Sequence, residues 1–305
     1  MKAARVTRFG PSSAIAIEDL PRPEAGDGQL LVHVKAAGVG NWDALIRSGK
    51  AKLQSLPIIL GSELSGIVES VGPKVSGFKT GDAVYGATNP QFSGGYAEYA
   101  VPFARMMAPK PKTLDFIEAA SVPIVAVTAW QMLFEYAGAA AGQTVLILGG
   151  AGNVGAYAVQ MAARAGLHVA ATAGAADLDY VRVLGAEKVL DYRKQPSEQS
   201  LLDFDIVLDT VGGDTQRQSL RAVKPGGILV SSVSAVPDPG AVRTAFFYVD
   251  VTTARLNRIT EQLDSGKVLV NVGTVLPLDQ ARVAHEMLEG PSHQRGKIVL
   301  AMREP

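Results

Sequence analysis

Cysteine is absent from all 305 residues. That one absence removes disulfides, thiolate-bound zinc and cysteine nucleophiles together. A net charge is also lacking, because Lys plus Arg and Asp plus Glu stand at 29 each. No field is left to draw nucleic acid or an anionic membrane non-specifically, so neither is expected as a partner. Long apolar runs are missing too: Met1-Lys2-Ala3-Ala4-Arg5 carries charge at once, and the most apolar segment, Ala119 to Leu133, is interrupted by Pro123. A cytoplasmic protein is expected. The four histidines, His33, His168, His285 and His293, stand at no metal-ligand spacing. Gly and Pro are scattered, which argues against a low-complexity linker or an internal repeat.

What is present divides the chain in two. A length of 305 residues suits two lobes rather than one. Up to about residue 100, short apolar runs such as Leu30–Ala37, Ile67–Val71 and Ala83–Tyr85 are separated by Gly, Pro and Asp, predicting a β-rich lobe. From Ile117 onward Ala-rich helical stretches alternate with strands at Val145–Leu148, Val169–Thr172, Ile206–Leu208 and Ile228–Ser231. Such alternation predicts a doubly wound parallel sheet. The loops Asp209–Gly213 and Ser232–Ser234 follow later strands, at the carboxyl edge where such sheets bind ligands, which makes Val211, Gly212 and Val233 candidate cofactor contacts. A final strand at Lys297–Ala301, after a helical stretch from Leu278 to Leu288, is expected to return to the first lobe. The reaction would then lie in a cleft between the lobes.

The densest signal is Val145-Leu146-Ile147-Leu148-Gly149-Gly150-Ala151-Gly152-Asn153-Val154-Gly155, which runs directly into the helical Ala156–Ala165. Gly150, Gly152 and Gly155 fit G-x-G-x-x-G between strand and helix, the context that a dinucleotide-binding turn requires. The first glycine permits the tight turn, the second lets backbone N–H groups approach a pyrophosphate, and the third lets the helix pack on the sheet. Asn153 and Val154 then open a helix whose N-terminus faces the anion.

With these motifs in place, the chain resembles the medium-chain dehydrogenase/reductases, and within them the zinc-independent quinone oxidoreductases, also called ζ-crystallin-like proteins. Gly61-Ser62-Glu63-Leu64-Ser65-Gly66-Ile67-Val68-Glu69-Ser70-Val71-Gly72, followed by Gly81-Asp82-Ala83-Val84, resembles the family's G-H-E-x-x-G-x-V-x-x-V-G…G-D-x-V. Ala37–Asp43 is similar to its A-G-V-N-P-x-D, Gly95–Tyr99 to its G-x-Y-A-E-Y and Gly296–Leu300 to its terminal G-K-I-V-L. The resemblance implies an α/β protein: a doubly wound Rossmann domain binding NADPH over residues 123–264, plus a β-rich GroES-like catalytic domain over 1–122 and 265–305. It also implies a homodimer.

The departures bear on the chemistry. Zinc-dependent relatives have Cys at the position of Gly40 and His at that of Ser62, so the resemblance implies no metal here. Quinone oxidoreductases usually have Asn at the position of Gly40 and Pro at that of Asn41. The Asn41 amide either donates to a substrate oxygen or caps its loop. On the cofactor side, an NAD enzyme of this architecture carries an acid at the tip of the second strand, about 20 residues past the glycines. Here that strand ends Ala171-Thr172-Ala173-Gly174, and Asp177 and Asp179 read as the first turn of a helix. NADPH is therefore expected over NADH. The resemblance adds Tyr192 near the adenosine phosphate, with Arg193 or Lys194 as charge partners, Thr128 near the nicotinamide, and the Ala245–Val249 stretch, Phe247 above all, as a backbone contact to the carboxamide; Phe246 and Phe247 are otherwise plain core aromatics.

Without zinc there is no Lewis acid to polarise an unactivated ketone, so the acceptor must already be electrophilic. A quinone or an α,β-unsaturated carbonyl meets that condition; a protein that binds NADPH without turnover is the remaining alternative. Ser62 and Tyr248 join Asn41 as expected catalytic donors, and Tyr85 and Tyr96 are either donors or packing residues.

Overall fold

A computed structural model of the chain describes residues 1–51, 55–194, 203–290 and 294–302. His293 lies outside them. The chain forms two compact units, Met1–Ile124 with Val251–Pro305, and Val125–Asp250.

The first unit opens with β1 (Lys2–Val6), β2 (Ile15–Asp19), β3 (Leu30–Val39), α1 (Asn41–Arg47), β4 (Ile58–Ile59), β5 (Glu63–Val71), β6 (Ala83–Ala87), β7 (Tyr99–Ala100), β8 (Met107–Pro109) and α2 (Phe116–Ala120). Helix α3 (Pro123–Trp130) leads onward, with proline in its first turn, where the missing N–H costs nothing. The second unit carries β9 (Thr144–Leu148), α4 (Asn153–Arg164), β10 (His168–Ala173), α5 (Leu178–Val183), β11 (Lys188–Asp191), β12 (Phe204–Asp209), α6 (Gly213–Ser219), β13 (Val223–Ser231) and β14 (Arg243–Phe246). The chain then returns through α7 (Thr253–Asp264), β15 (Val272–Pro277), α8 (Ala281–Glu289) and β16 (Lys297–Ala301).

In the first unit a sheet ordered β15-β16-β3-β5-β6-β8, with β7 also on β3, accompanies a smaller sheet β2-β1-β4. Strand β3 is apolar apart from His33 and Lys35, and residues on both of its faces are buried. Leu30, Val32, Val34, Ala37 and Val39 join a core with Ile46, Leu60, Leu64, Val84 and Leu300, while Ala36 packs with Ala120 and Val299. Strand β16 pairs antiparallel with β3, Ile298 opposite Val39 and Leu300 opposite Ala37.

All strand pairs of the second unit's sheet are parallel, in the order β11-β10-β9-β12-β13-β14. This is the doubly wound order, reversing direction between β9 and β12, the switch point where ligands of such sheets bind. Val145, Leu146 and Ile147 are buried, as a central strand covered on both faces requires. No helix among the described residues is long and apolar enough to cross a membrane.

One boundary differs from the sequence expectation. The return to the first unit comes at Val251, ahead of α7, rather than at 265. Helix α7 is amphipathic and buries Leu256, Ile259 and Leu263. It is fixed there by the Tyr85 hydroxyl donating to the Leu256 carbonyl at 2.9 Å and by the Thr253 hydroxyl donating to the Met107 carbonyl at 2.7 Å. Helical periodicity alone carries no label saying which core a helix joins.

Candidate active site

In the Val125–Asp250 unit the expected cofactor residues fall into loops at the carboxyl ends of the parallel strands. The glycine turn joins β9 to α4. Its sharpest bend is at Gly149, with φ +77°, one residue before the motif's first glycine. A Cβ on Gly150 would lie 2.8 Å from the Ala171 Cβ, and one on Gly155 would lie 2.1 Å from the Gly149 carbonyl oxygen. These two glycines therefore seat the turn against β10 and the helix against the turn. Gly152 caps α4 and is exposed. The Ala156 N–H takes the Gly152 carbonyl at 2.8 Å, so the N–H groups of Asn153, Val154 and Gly155 start the helix with no acceptor inside it. That is a cradle for an anion.

Thr172 ties the turn down rather than pointing away from it. Its hydroxyl accepts the Gly149 N–H at 3.0 Å and its carbonyl accepts the Gly150 N–H at 2.8 Å. Ala173 and Gly174 end β10, and the Ala173 carbonyl accepts the Tyr192 N–H at 3.2 Å. Tyr192 is exposed, with the Arg193 guanidinium 5.5 Å from its ring centre, and its hydroxyl is 3.9 Å from where a Cβ on Gly174 would stand. A carboxylate oxygen of Asp177 lies at the same 3.9 Å from that point. The strand tip thus has an acid beside it, and Asp177 and Asp179 do stand at the start of a helix, as expected: a 3-10 turn at Ala175–Asp177 leads directly into α5. Val211 and Gly212 follow β12, and Val233 follows β13. Phe247 follows β14 with its ring buried and stacked on Tyr136 at 4.2 Å, while Tyr248 is 70% exposed. Thr128 is almost buried within α3.

In the first unit the other expected residues belong to a different kind of environment. Asn41 is the exposed first residue of α1, and no hydrogen bond joins its amide to another described residue. The cap of that helix is Gly40, whose N–H donates at 2.8 Å to the Asp43 carboxylate in the first turn. Ser62, expected as a donor to substrate, is buried and donates instead to Asp43 at 2.5 Å. The Tyr96 hydroxyl donates to the other oxygen of Asp43 at 2.9 Å. Burial pushes the Asp43 carboxyl up to about 6, against the pull of Ser62, Lys297, Gly40 and Tyr96. Tyr85 and Tyr96 are interior residues with committed hydroxyls, so packing is their role.

Beside this cluster Lys297 pairs with Glu63 at 2.6 Å, both side chains nearly sealed from solvent, and Glu63 also accepts the Ile124 N–H at 2.8 Å. A Cβ on Gly40 would stand 3.1 Å from the Lys297 ammonium. On the far side of Tyr96 lies His285, edge-on to its ring at 6.0 Å, with Nδ1 facing the buried Arg47 guanidinium at 3.3 Å. Burial, reinforced by the Arg47 charge, pulls His285 down to about 3.

These residues do not fit a catalytic zinc. Gly40 offers no ligand atom, the Ser62 hydroxyl is turned to Asp43, and an ammonium already stands where a side chain at position 40 would project. No group of three or more His, Cys, Asp or Glu able to hold a metal occurs among the described residues.

Several participants escaped the sequence reading. Gly149 was visible only as half of a Gly-Gly pair, and Asp43, Lys297, Asp209 and Ser231 sit in recognisable motifs whose internal hydrogen bonds no spacing predicts. Comparison with known proteins agrees with the fold. Residues 26–112 match the alcohol dehydrogenase GroES-like domain and residues 184–300 a zinc-binding dehydrogenase domain. The chain is 35% identical to a 2-methylene-furan-3-one reductase of Solanum lycopersicum, over 98% of this chain and 79% of that one. It is 33% identical to a chloroplastic NADPH-dependent alkenal/one oxidoreductase of Arabidopsis thaliana, with the same coverage. The solved quinone oxidoreductase of Coxiella burnetii superposes with a TM-score of 0.93 at 31% identity, over 99% of each chain.

A doubly wound sheet with an anion cradle at its switch point, in a chain that also carries a GroES-like unit, defines a nucleotide-dependent dehydrogenase or reductase. This chain belongs to the medium-chain dehydrogenase/reductase superfamily, in its zinc-independent, quinone oxidoreductase-like family.

Proposed function

We propose that this chain is an NADPH-dependent oxidoreductase that reduces a quinone without zinc. The observation that carries the reading is the pairing of an intact anion cradle at Gly152–Gly155 with a zinc position whose donors are gone, at Gly40 and Ser62. The bound cofactor would supply hydride. The first-turn N–H groups of α4 would hold its pyrophosphate, Tyr192 and Arg193 its adenosine phosphate, and the loops at Val211–Gly212 and Val233, with Thr128 and the Phe247 backbone, its nicotinamide half.

A quinone accepts hydride without a Lewis acid because the product is an aromatic hydroquinone anion. Orientation and a few hydrogen-bond donors are then enough. Of the expected donors, Asn41 and Tyr248 are exposed residues, whereas Ser62 is buried and donates to Asp43. An α,β-unsaturated carbonyl is the second reading, favoured by the alkenal/one and furanone reductases among the relatives; its added charge delocalises into an enolate. We further propose a cytoplasmic homodimer acting on small molecules, without nucleic-acid or membrane partners, in keeping with the balanced charge.

Steady-state rates of NADPH oxidation with 1,4-benzoquinone, an alkenal and an enoyl thioester test the assignment, and the quinone is expected to be fastest. Faster oxidation of an unactivated secondary alcohol than any of these reductions would contradict it. NADPH binding without oxidation by any acceptor would replace it with a non-catalytic role.

A further inference from the structure

Asp209 and Ser231 end neighbouring parallel strands and stand opposite each other in the register of β12 and β13. Neither exposes any surface. One oxygen of Asp209 accepts the N–H groups of Val211 and Gly212 at 3.0 and 2.8 Å, folding the loop after its own strand. The Ser231 hydroxyl accepts the N–H groups of Val233 and Ser234 at 3.1 and 3.3 Å, folding the loop after the next. That same hydroxyl donates to the second oxygen of Asp209 at 2.8 Å, so a single O–H joins the two loops.

The loops also meet each other and the glycine turn. Gly212 has φ +79°, and a Cβ there would stand 2.7 Å from Val233. Gln216 donates to the Ser234 carbonyl at 2.9 Å. The Thr210 hydroxyl donates to the Leu148 carbonyl at 2.7 Å, while a Cβ on Gly149 would lie 3.1 Å from Val211. The buried carboxylate therefore sets the backbone of the loops after two strands, Thr210 ties the first of them to the end of β9, and Val211 and Val233 stand half-exposed, at 51% and 47%.

We infer that Asp209 and Ser231 are positioning residues for cofactor binding: they shape the two loops after β12 and β13 that meet the nicotinamide half of NADPH, without touching it themselves. The inference rests on the NADPH reading above. The chemistry calls for a carboxylate, since both oxygens must accept. An amide of the same shape would turn its NH₂ toward Ser231 or toward two backbone N–H groups, and Ser231 already accepts two. Leaving such buried donors unmatched should weaken cofactor binding roughly tenfold, about 1.4 kcal/mol.

The test measures NADPH dissociation constants by cofactor fluorescence, with kcat, KM and thermal unfolding, for wild type, Asp209→Asn, Ser231→Ala and Ser231→Thr. Asp209→Asn and Ser231→Ala should each raise the dissociation constant and KM for NADPH about tenfold with a smaller change in kcat, while Ser231→Thr, which keeps the hydroxyl, should restore most of the loss. Lower unfolding temperatures with dissociation constants within about twofold of wild type would reduce the pair to a fold-stabilising role and overturn the inference. Should Asp209→Asn fail to fold, the Ser231 pair decides alone. Wild type that binds no NADPH would instead overturn the NADPH reading itself.

Discussion

The carboxyl edge of the parallel sheet and the polar cluster around α1, β5 and β16 are both built from polar groups, yet they are built in opposite ways. At the sheet edge the donors are backbone N–H groups left open by glycines, and the side chains that shape them, Thr172, Asp209 and Ser231, are buried beneath. In the cluster, charged side chains consume one another: Lys297 meets Glu63, and Asp43 gathers Ser62, Tyr96 and Gly40. An open set of donors needs a ligand to complete it, whereas the closed set is already complete. Around Gly40 and Ser62 the polar groups are thus paired with one another, while the open backbone donors lie at the carboxyl edge of the parallel sheet.

The largest effect should come from breaking the closed set. Lys297→Met leaves Glu63 buried with only the Ile124 N–H, which should cost about 3–5 kcal/mol of stability. Urea unfolding checks it, with NADPH affinity as the control that should not move. The double variant Lys297→Met, Glu63→Leu should recover most of the loss, because an apolar pair of similar volume can replace a buried ion pair at little cost.

Next comes the open set. In Gly155→Ala the new methyl would meet the Gly149 carbonyl at 2.1 Å, so the turn must shift. Strain of about 1–3 kcal/mol would weaken NADPH binding about tenfold to a hundredfold. An unchanged dissociation constant would show that the turn does not hold the cofactor.

The pH dependence separates the two regions again, because the buried carboxyl and imidazole held toward their neutral forms, Asp43 and His285, both lie in the first unit. His285 is held near 3 against an ordinary 6.5. Its contribution is whole above about pH 6.5 and is lost as the pH falls from there toward 3, since the unfolded chain takes the proton first. Asp43, raised to about 6 from 3.8, has the opposite sign: its contribution is present below 3.8 and lost as pH rises through 6. Unfolding free energies followed from about pH 7 to pH 4 should therefore fall less steeply in His285→Gln than in wild type.

The smallest expected effect is at the strand tip. Removing the carboxylate in Asp177→Asn should tighten NADPH about threefold at low salt, with little change for NADH, because a screened surface charge acts weakly.

These contrasts also show what could be read from the chain and what could not. The alternation of Val145–Leu148 with the Ala-rich helix after it displayed the parallel sheet, because periodicity reports burial directly. The glycines displayed the cradle, because a missing Cβ is written in the sequence. At position 40 the loss of a ligand was equally visible, but its replacement was not: Lys297 reaches it from the other end of the chain through the pairing of β16 with β3. Ser62 could be read as an exposed donor only while its neighbour Asp43 was unknown. Asp177 is the helix-start acid that the sequence suggests, but its approach to Gly174 depends on local backbone geometry rather than on spacing.

Hydride transfer to the acceptor is expected to need the nucleotide cradle and no metal. The most direct measurement is the rate of NADPH oxidation by 1,4-benzoquinone before and after exhaustive dialysis against a zinc chelator, with metal content determined on the same samples. The rate should be unchanged in protein free of zinc and should not rise when zinc is added back. A rate that vanishes with the metal and returns with it would show instead that the reaction needs zinc.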